Sequence, residues 1–96
     1  MIEKIISMEL PVREHLAVRR NRICPEEEIR GCRRISLVSG IHGDELEGQY
    51  ICYETARRVK EHPEYLKGIV DIYPALNPLG IDMASRTVPR LNMDMN

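Results

Sequence analysis

A histidine and a glutamate lie three residues apart in a glycine-rich segment near the middle of the chain. The segment reads Gly-Ile-His-Gly-Asp-Glu-Leu-Glu-Gly over residues 40–48 and follows an apolar run over residues 35–38. The run predicts a strand that turns into a helix, so that His42 and Glu45 are held over the carboxyl end of the strand. An imidazole nitrogen and a carboxylate oxygen are ligands that a catalytic zinc ion accepts while keeping one position open for water. The first hypothesis is therefore half of a zinc site.

The same turn has a second interpretation as a phosphate site. Gly40 and Gly43 allow a ligand to approach the backbone closely, and the free amides at a helix start bind anions. The turn also carries the carboxylates of Asp44, Glu45 and Glu47. Three negative charges repel an anion and attract a cation, so the sequence favours the metal.

A catalytic zinc site normally has three protein ligands, and the other two histidines are poor candidates for the third. His62 lies near the far end of the same predicted helix, about 25 Å away at 1.5 Å per residue. His15 begins a predicted strand and reaches the site only by an indirect path. The sequence therefore predicts two ligands, His42 and Glu45, and leaves the third unassigned.

The size and charge of the chain narrow the class of protein. Its 96 residues allow one small domain with a thin core, in which neither Phe nor Trp is available. The formal net charge of −1 gives no general attraction to nucleic acid or to anionic lipid. The three cysteines lack paired or metal-ligand spacing, which favours reduced thiols with a structural role. Charges interrupt residues 1–10, and no apolar run is long enough for a membrane span. We therefore expect a cytoplasmic protein with no nucleic-acid or membrane partner.

The apolar patterns predict an α/β fold. Four strands are predicted, over residues 1–10, 15–23, 34–39 and 69–73. The third has an apolar centre, which is typical of a strand covered on both faces. A helix between the third and fourth strands implies a right-handed crossover and two parallel strands. The predicted fold is a mixed sheet with an amino-terminal antiparallel pair, followed by a parallel strand-helix-strand unit that carries the site at its carboxyl edge.

The helix has the clearest pattern of any element. It is predicted to begin at Asp44, which forms a capping-box pattern with Glu47, and to end before Pro63. Apolar residues at spacings of four and three predict its buried face: Leu46, Tyr50, Tyr53, Ala56 and Val59.

Three ordered motifs in the second half of the chain resemble those of a known family. The motifs are Gly-Ile-His-Gly-Asp-Glu at residues 40–45, Asn-Pro at residues 77–78 followed by Arg86, and Asp-Met-Asn at residues 94–96. They are similar to motifs of the succinylglutamate desuccinylase and aspartoacylase family, within the zinc carboxypeptidase-like hydrolases. The similarity covers residues 40–96, whereas residues 1–34 match only in having strands. Asn77 itself is interpreted as a turn device rather than a ligand contact.

The resemblance implies a role for five residues. His42 and Glu45 take the zinc-ligand positions, and Arg86 takes that of the arginine that polarises the substrate carbonyl. A permanently charged guanidinium suits the oxyanion that forms there. Asn96 and Asp94 take substrate-binding positions at the substrate carboxylate. Asn96 would donate an amide hydrogen bond, and Asp94 would orient the arginine that follows in the family.

The resemblance also implies an activity. It predicts a hydrolase that cleaves the amide bond of an N-acyl amino acid through a zinc-activated water, with a small-molecule substrate that carries a carboxylate. In the family, the guanidinium clamp, a third zinc-ligating histidine and a general-base glutamate lie beyond the position of residue 96. We therefore expect residues 1–96 to be the amino-terminal part of a single catalytic domain and to be inactive alone. We also expect self-association through an unpaired sheet edge.

Two alternatives stay open. One is a non-catalytic metal-binding or interaction module, and the other is a zinc carboxypeptidase. Continuation of the chain into the later family residues would separate an enzyme from a binding module.

Overall fold

The structure is a computed structural model that describes residues 1–89 and 93–95. Its strands and helices are β1 (Ile2–Glu9), β2 (His15–Ile23), β3 (Arg34–Val38), α1 (Glu47–Glu61), β4 (Ile69–Tyr73) and α2 (Pro78–Asp82). A short 3-10 turn over Pro11–Arg13 joins β1 to β2, and a second one over Pro63–Tyr65 follows α1. Within the described ranges, neither helix is long and apolar enough to cross a bilayer.

The strands form one mixed sheet in the order β1-β2-β4-β3. β2 pairs antiparallel with both β1 and β4, and β3 pairs parallel with β4. The predicted antiparallel pair and parallel strand-helix-strand unit are both confirmed. The carboxyl ends of β3 and β4 therefore meet at one edge of the sheet, where α/β proteins place their ligands.

The expectation that the third strand is covered on both faces is wrong for this chain. Ile35 is 62 % exposed and Val38 is 47 % exposed, and only Leu37 is half-buried. In the described part of the chain, β3 has β4 as its neighbour on one side, and α1 packs on one face of the sheet. The apolar run in β3 therefore marks an edge strand here.

The core lies between α1 and the sheet. Ile72 of β4 is buried against Cys52 and Ala56 of α1, with half-buried apolar side chains from three strands around them. Cys52 thus has the structural role predicted for it, while Cys24 is exposed. All three cysteines are free, as the sequence predicts.

The predicted start of α1 is wrong. The helix begins at Glu47, and Leu46 before it makes no side-chain capping bond. Gly43 and Asp44 lie in a turn that is closed by the amide of Glu45, which donates to the carbonyl oxygen of His42 at 3.2 Å. Because Glu47 is the first helical residue and not the third, the capping box with Asp44 cannot form.

The predicted buried stripe of α1 is wrong in part. Tyr50 and Tyr53 are 69 % and 62 % exposed, and Leu46 is also exposed. The helix faces the sheet with the small side chains of Cys52 and Ala56. Small residues let the helix lie close to the strands, which leaves the bulky tyrosines on its flank.

The other face of the sheet holds a buried charge. Asp71 of β4 is 1 % exposed, and both of its carboxylate oxygens accept hydrogen bonds from Arg22 of β2, at 2.7 and 2.8 Å. Nitrogens of Arg20 and Arg34 lie 3.9 Å from the same carboxylate. These contacts join the three neighbouring strands β2, β4 and β3 across this face.

Candidate functional site

The loop after β3 is fixed to the segment after β4. The amide of Ser39 donates to the carbonyl oxygen of Tyr73 at 2.9 Å, and the amide of Leu76 donates back to Ser39 at 3.1 Å. The amide of Asn77 then donates to the carbonyl oxygen of Gly40 at 2.8 Å. The pairing of the parallel strands thus continues beyond their ends and holds the loop that carries His42.

Two glycines make this loop possible. Gly40 has a φ of +68°, a left-handed conformation that glycine adopts at little cost. Gly43 lies against the backbone of Gly80 in α2, where an added Cβ would overlap main-chain atoms. His42, directly before Gly43, is consequently drawn into the protein and is 8 % exposed.

Two carboxylates flank the ring of His42. Its Nδ1 lies 3.3 Å from Oε1 of Glu45, and its Nε2 lies 2.9 Å from Oδ1 of Asp94. The hydrogen bond with Asp94 is the main reason that the pKa of His42 lies above its usual value, and the contact with Glu45 adds to the effect. Burial and the charge of Arg86 act in the opposite direction. Without a cation in place, the two carboxylates therefore favour the protonated ring.

Arg86 completes the cluster from the far side. Its Nη1 lies 3.7 Å from Oε1 of Glu45, and its Nε lies 3.5 Å from Oδ2 of Asp94. The structure thus brings together four of the five predicted site residues, namely His42, Glu45, Arg86 and Asp94. The fifth, Asn96, lies outside the described residues.

The distances in the cluster suit a zinc ion at His42 and Glu45. Two ligands about 2.1 Å from a tetrahedral zinc ion are about 3.4 Å from each other, and Nδ1 of His42 is 3.3 Å from Oε1 of Glu45. Nε2 of the same ring faces Asp94, which is the arrangement by which a carboxylate orients a metal-bound histidine. Among the described residues, no group of three or more His, Cys, Asp or Glu side chains is placed to hold a metal ion by itself. The residues present therefore fit two ligands of a zinc site.

The other histidines lie elsewhere. His62 follows the last residue of α1 and contacts Glu64, and His15 pairs with Glu9 at the start of β2.

Asn77 contributes to the site in a way that the sequence did not predict. Its side chain accepts a hydrogen bond from the amide of Gly80 at 3.0 Å, which confirms the predicted turn device at the start of α2. It also donates to the carbonyl oxygens of Ile41 and Thr87, at 3.3 and 3.2 Å. An Asn before Pro signals a turn, but no local pattern reveals bonds to residues so distant in the chain.

The fold is α/β, and two side chains that suit a cation, His42 and Glu45, lie at the carboxyl edge of its two parallel strands. The sequence model of the succinylglutamate desuccinylase/aspartoacylase catalytic domain matches residues 32–96. The chain belongs to this family, whose members are hydrolases, and the resemblance found in the motifs is confirmed.

Two solved structures are similar to the chain. One is a succinylglutamate desuccinylase/aspartoacylase from Rhodobacter sphaeroides, with a TM-score of 0.73 and 26 % identity over 92 % of this chain and 26 % of that one. The other is an aspartoacylase family protein from Mesorhizobium loti, with a TM-score of 0.72 and 23 % identity over 98 % of this chain and 28 % of that one. A comparison with curated proteins gave no match. The chain spans about a quarter of the length of the two solved relatives, and the shared fold includes its amino-terminal strands.

Proposed function

We propose that the chain is part of a zinc-dependent hydrolase that releases an amino acid from an N-acyl amino acid. The observation that supports this most directly is the 3.3 Å separation of Nδ1 of His42 and Oε1 of Glu45, in a chain of a desuccinylase/aspartoacylase family. When bound, zinc supplies an activated water and polarises the scissile carbonyl. The residues of this chain then bind the ion, orient its ligands and stabilise the developing charge.

His42 and Asp94 act together as one ligand unit. The hydrogen bond from Nε2–H to Asp94 would keep Nδ1 directed toward the side of Glu45, and the proton on Nδ1 would be replaced by bound zinc. The same bond fixes the rotation of the ring, so that less ordering remains to be done when the ion binds. The contact of Asp94 with His42 favours this orienting role. Its assignment with Asn96 to the substrate carboxylate stays a prediction.

Arg86 is the residue that we assign to the oxyanion. Its side chain is 55 % exposed, and its nitrogens lie 3.5 and 3.7 Å from the two carboxylates, which are ion-pair distances rather than good hydrogen bonds. Exposed pairs of this kind are weak. The guanidinium can therefore leave them at little cost and donate to a carbonyl oxygen that develops negative charge.

A non-catalytic metal-binding module is the main competing function. Glu45 cannot serve as the general base while it ligates the ion, and the described residues of the site include no other carboxylate without a role. A proton acceptor must lie within about 3 Å of the attacking water. We therefore propose that residues 1–96 are catalytically silent alone, and that the activity belongs to the longer chain that the resemblance predicts.

The activity test measures free amino acid released from a panel of N-acyl amino acids and short peptides, with zinc or with a chelator. The longer chain should release amino acid only with zinc, and residues 1–96 alone should release none. Arg86→Ala should lower kcat/KM by about 100-fold to 1000-fold, as loss of an oxyanion donor does. Arg30→Ala, in an exposed loop, is the matched control and should have no effect.

The outcomes separate the three functions. Zinc binding without turnover by the longer chain would favour the binding module. Turnover of peptides but not of N-acyl amino acids would favour the carboxypeptidase. Zinc-dependent turnover by residues 1–96 that is lost in Arg86→Ala would contradict the proposal that this part is silent.

A further inference from the structure

We propose that Asn77 is a positioning residue that fixes His42 and Arg86 relative to each other. This inference rests on the proposed function for the roles of His42 and Arg86. Its evidence is the hydrogen bonding of one buried side chain.

The amide nitrogen of Asn77 joins the two loops that carry the site. It donates to the carbonyl oxygen of Ile41 at 3.3 Å and to that of Thr87 at 3.2 Å. Ile41 directly precedes His42, and Thr87 directly follows Arg86. An NH2 group has two hydrogens, so one nitrogen can serve both carbonyls at once. The histidine and arginine segments, distant in sequence, are thus linked through a single atom.

The oxygen of the same amide determines which way the group faces. It accepts from the amide of Gly80 at 3.0 Å, which directs the nitrogen toward Ile41 and Thr87. A reversed amide would place its oxygen against two carbonyl oxygens and its nitrogen against an N–H group. The main chain of Asn77 is held as well, because its amide N–H donates a hydrogen bond to the carbonyl oxygen of Gly40. The orientation of the side chain is therefore fixed at both ends.

Capping of α2 does not by itself require asparagine. Asp or Ser can accept from the amide of Gly80, but neither ionised Asp nor Ser can also donate two hydrogen bonds. Asn77 is 2 % exposed, so its loss leaves polar groups buried without partners. The combination of one acceptor and two donors is what the positions of Gly80, Ile41 and Thr87 demand.

The test compares Asn77→Asp with Ser85→Ala in the metal-free chain. Asn77→Asp keeps the size of the side chain and the oxygen that caps α2, but it replaces the donating nitrogen. Ser85→Ala is the matched control, because it removes a neighbouring hydrogen bond to the same Thr87 carbonyl, at 3.3 Å, and leaves Asn77 intact. Nuclear Overhauser contacts of the His42 ring and of the Arg86 side chain with Asp94, together with hydrogen exchange at the Gly80 amide, are the decisive readouts.

Asn77→Asp should lose the ring contacts while the Gly80 amide stays protected, and Ser85→Ala should keep both. In a zinc titration with a chromophoric chelator, Asn77→Asp should bind at least about 10-fold more weakly, as expected when groups that orient a metal ligand are lost. Retained ring contacts in Asn77→Asp would overturn the proposal, since Asn77 would then only cap α2.

A second variant guards against loss of the fold. Asn77→Ser keeps an acceptor for Gly80 and one donor, and it should retain part of the ring contacts. Unfolding of both Asn77 variants beside a folded Ser85→Ala would also overturn the proposal, because Asn77 would then stabilise the fold as a whole. Absence of zinc binding by the parent would count against the proposed function only, since the ring contacts are measured without metal.

Discussion

Asp71 is a buried charged residue outside the site, and its ion pairs contribute to the free energy of folding. Its carboxylate is 1 % exposed and accepts two hydrogen bonds from Arg22, with Arg20 and Arg34 close by. The hydrogen bonds from Arg22 are the main cause that lowers the pKa of Asp71, against the opposing effect of burial. A lowered pKa means that the folded chain prefers the charged carboxylate.

We expect Asp71→Asn to destabilise the chain by about 3 kcal/mol at pH 7, as removal of one partner from a buried pair does. Arg22→Gln should cost less, because Arg20 and Arg34 still face the carboxylate. Urea unfolding of the parent and both variants gives the two values. An Arg22→Gln variant that is more destabilised than Asp71→Asn would contradict the supporting role of Arg20 and Arg34.

The stabilising effect of Asp71 should depend on pH in a defined direction. The pKa in the folded chain lies below the ordinary value of 3.8, so the contribution is complete above that pH. It is lost as the pH falls through the folded pKa. The difference between the parent and Asp71→Asn should therefore shrink in urea unfolding below pH 4. A difference in unfolding free energy that grows toward acidic pH would contradict the lowered pKa of Asp71.

The spacing of residues in the sequence predicted only part of the site. His42 and Glu45 are three positions apart at a strand end, so their proximity follows from the sequence. The contact between His42 and Asp94 crosses 52 positions, and no periodicity links them. Only the resemblance to a family placed residues 94–96 near the histidine.

At the scale of elements, the contact between the site loop and α2 is the most sensitive point. Gly43→Ala would place a methyl group on the main chain of Gly80, and a backbone atom cannot turn aside as a side chain can. We expect the variant to lose zinc binding and to be destabilised by about 1 to 3 kcal/mol, the usual cost of overpacking. Gly31→Ala is the control for glycine replacement at an open position, where no heavy atom lies within 4 Å, although its φ of +69° brings some strain. Thermal unfolding and zinc titration that leave Gly43→Ala closer to the parent than Gly31→Ala would contradict the close contact.

The strands were more predictable than the helix. β2 and β4 lie where the apolar patterns placed them, over His15–Ile23 and Ile69–Tyr73. The helix pattern was misleading for two reasons. Asp44 belongs to a turn that packs on α2, and the small side chains of Cys52 and Ala56, not the tyrosines, pack against the sheet. Both errors arise from tertiary contacts that act on residues with good helical spacing.

At the scale of the whole molecule, β3 has no strand on its outer side among residues 1–89 and 93–95. Ile35 and Val38 are exposed there, and β3 contains neither proline nor an acidic residue. The opposite edge, β1, carries Glu3, Lys4 and Glu9 and has an irregular register between Lys4 and Ile6. Charges and irregular pairing protect an edge, whereas an apolar unprotected edge recruits another strand.

We therefore expect residues 1–96 to self-associate through β3. Light scattering should show a mass that rises with concentration, and Ile35→Lys should suppress the rise. Met8→Lys on the exposed face of β1 is the control and should leave it unchanged. A monomeric mass at all concentrations, with cooperative unfolding, would instead indicate that these residues form a complete domain.

The order of the strands was beyond what the sequence predicted, whereas an unpaired sheet edge was expected and lies at β3 among the described residues. The apolar run over residues 35–38 indicated a covered strand, but β4 takes the central position between β2 and β3. Strand order depends on pairing between segments far apart in the chain, and each segment's own pattern is compatible with several neighbours.

The central claim, that His42 and Glu45 hold zinc, is tested most directly by isothermal titration of zinc into the parent, His42→Ala and Glu45→Ala. His62→Ala is a matched control, since His62 faces Glu64 at 3.4 Å on the exposed end of α1, a separation close to that in the site. We expect weak binding by the parent and by His62→Ala, because this part of the chain supplies two ligands, and no binding by the two site variants. Unchanged zinc binding in both His42→Ala and Glu45→Ala would contradict the claim.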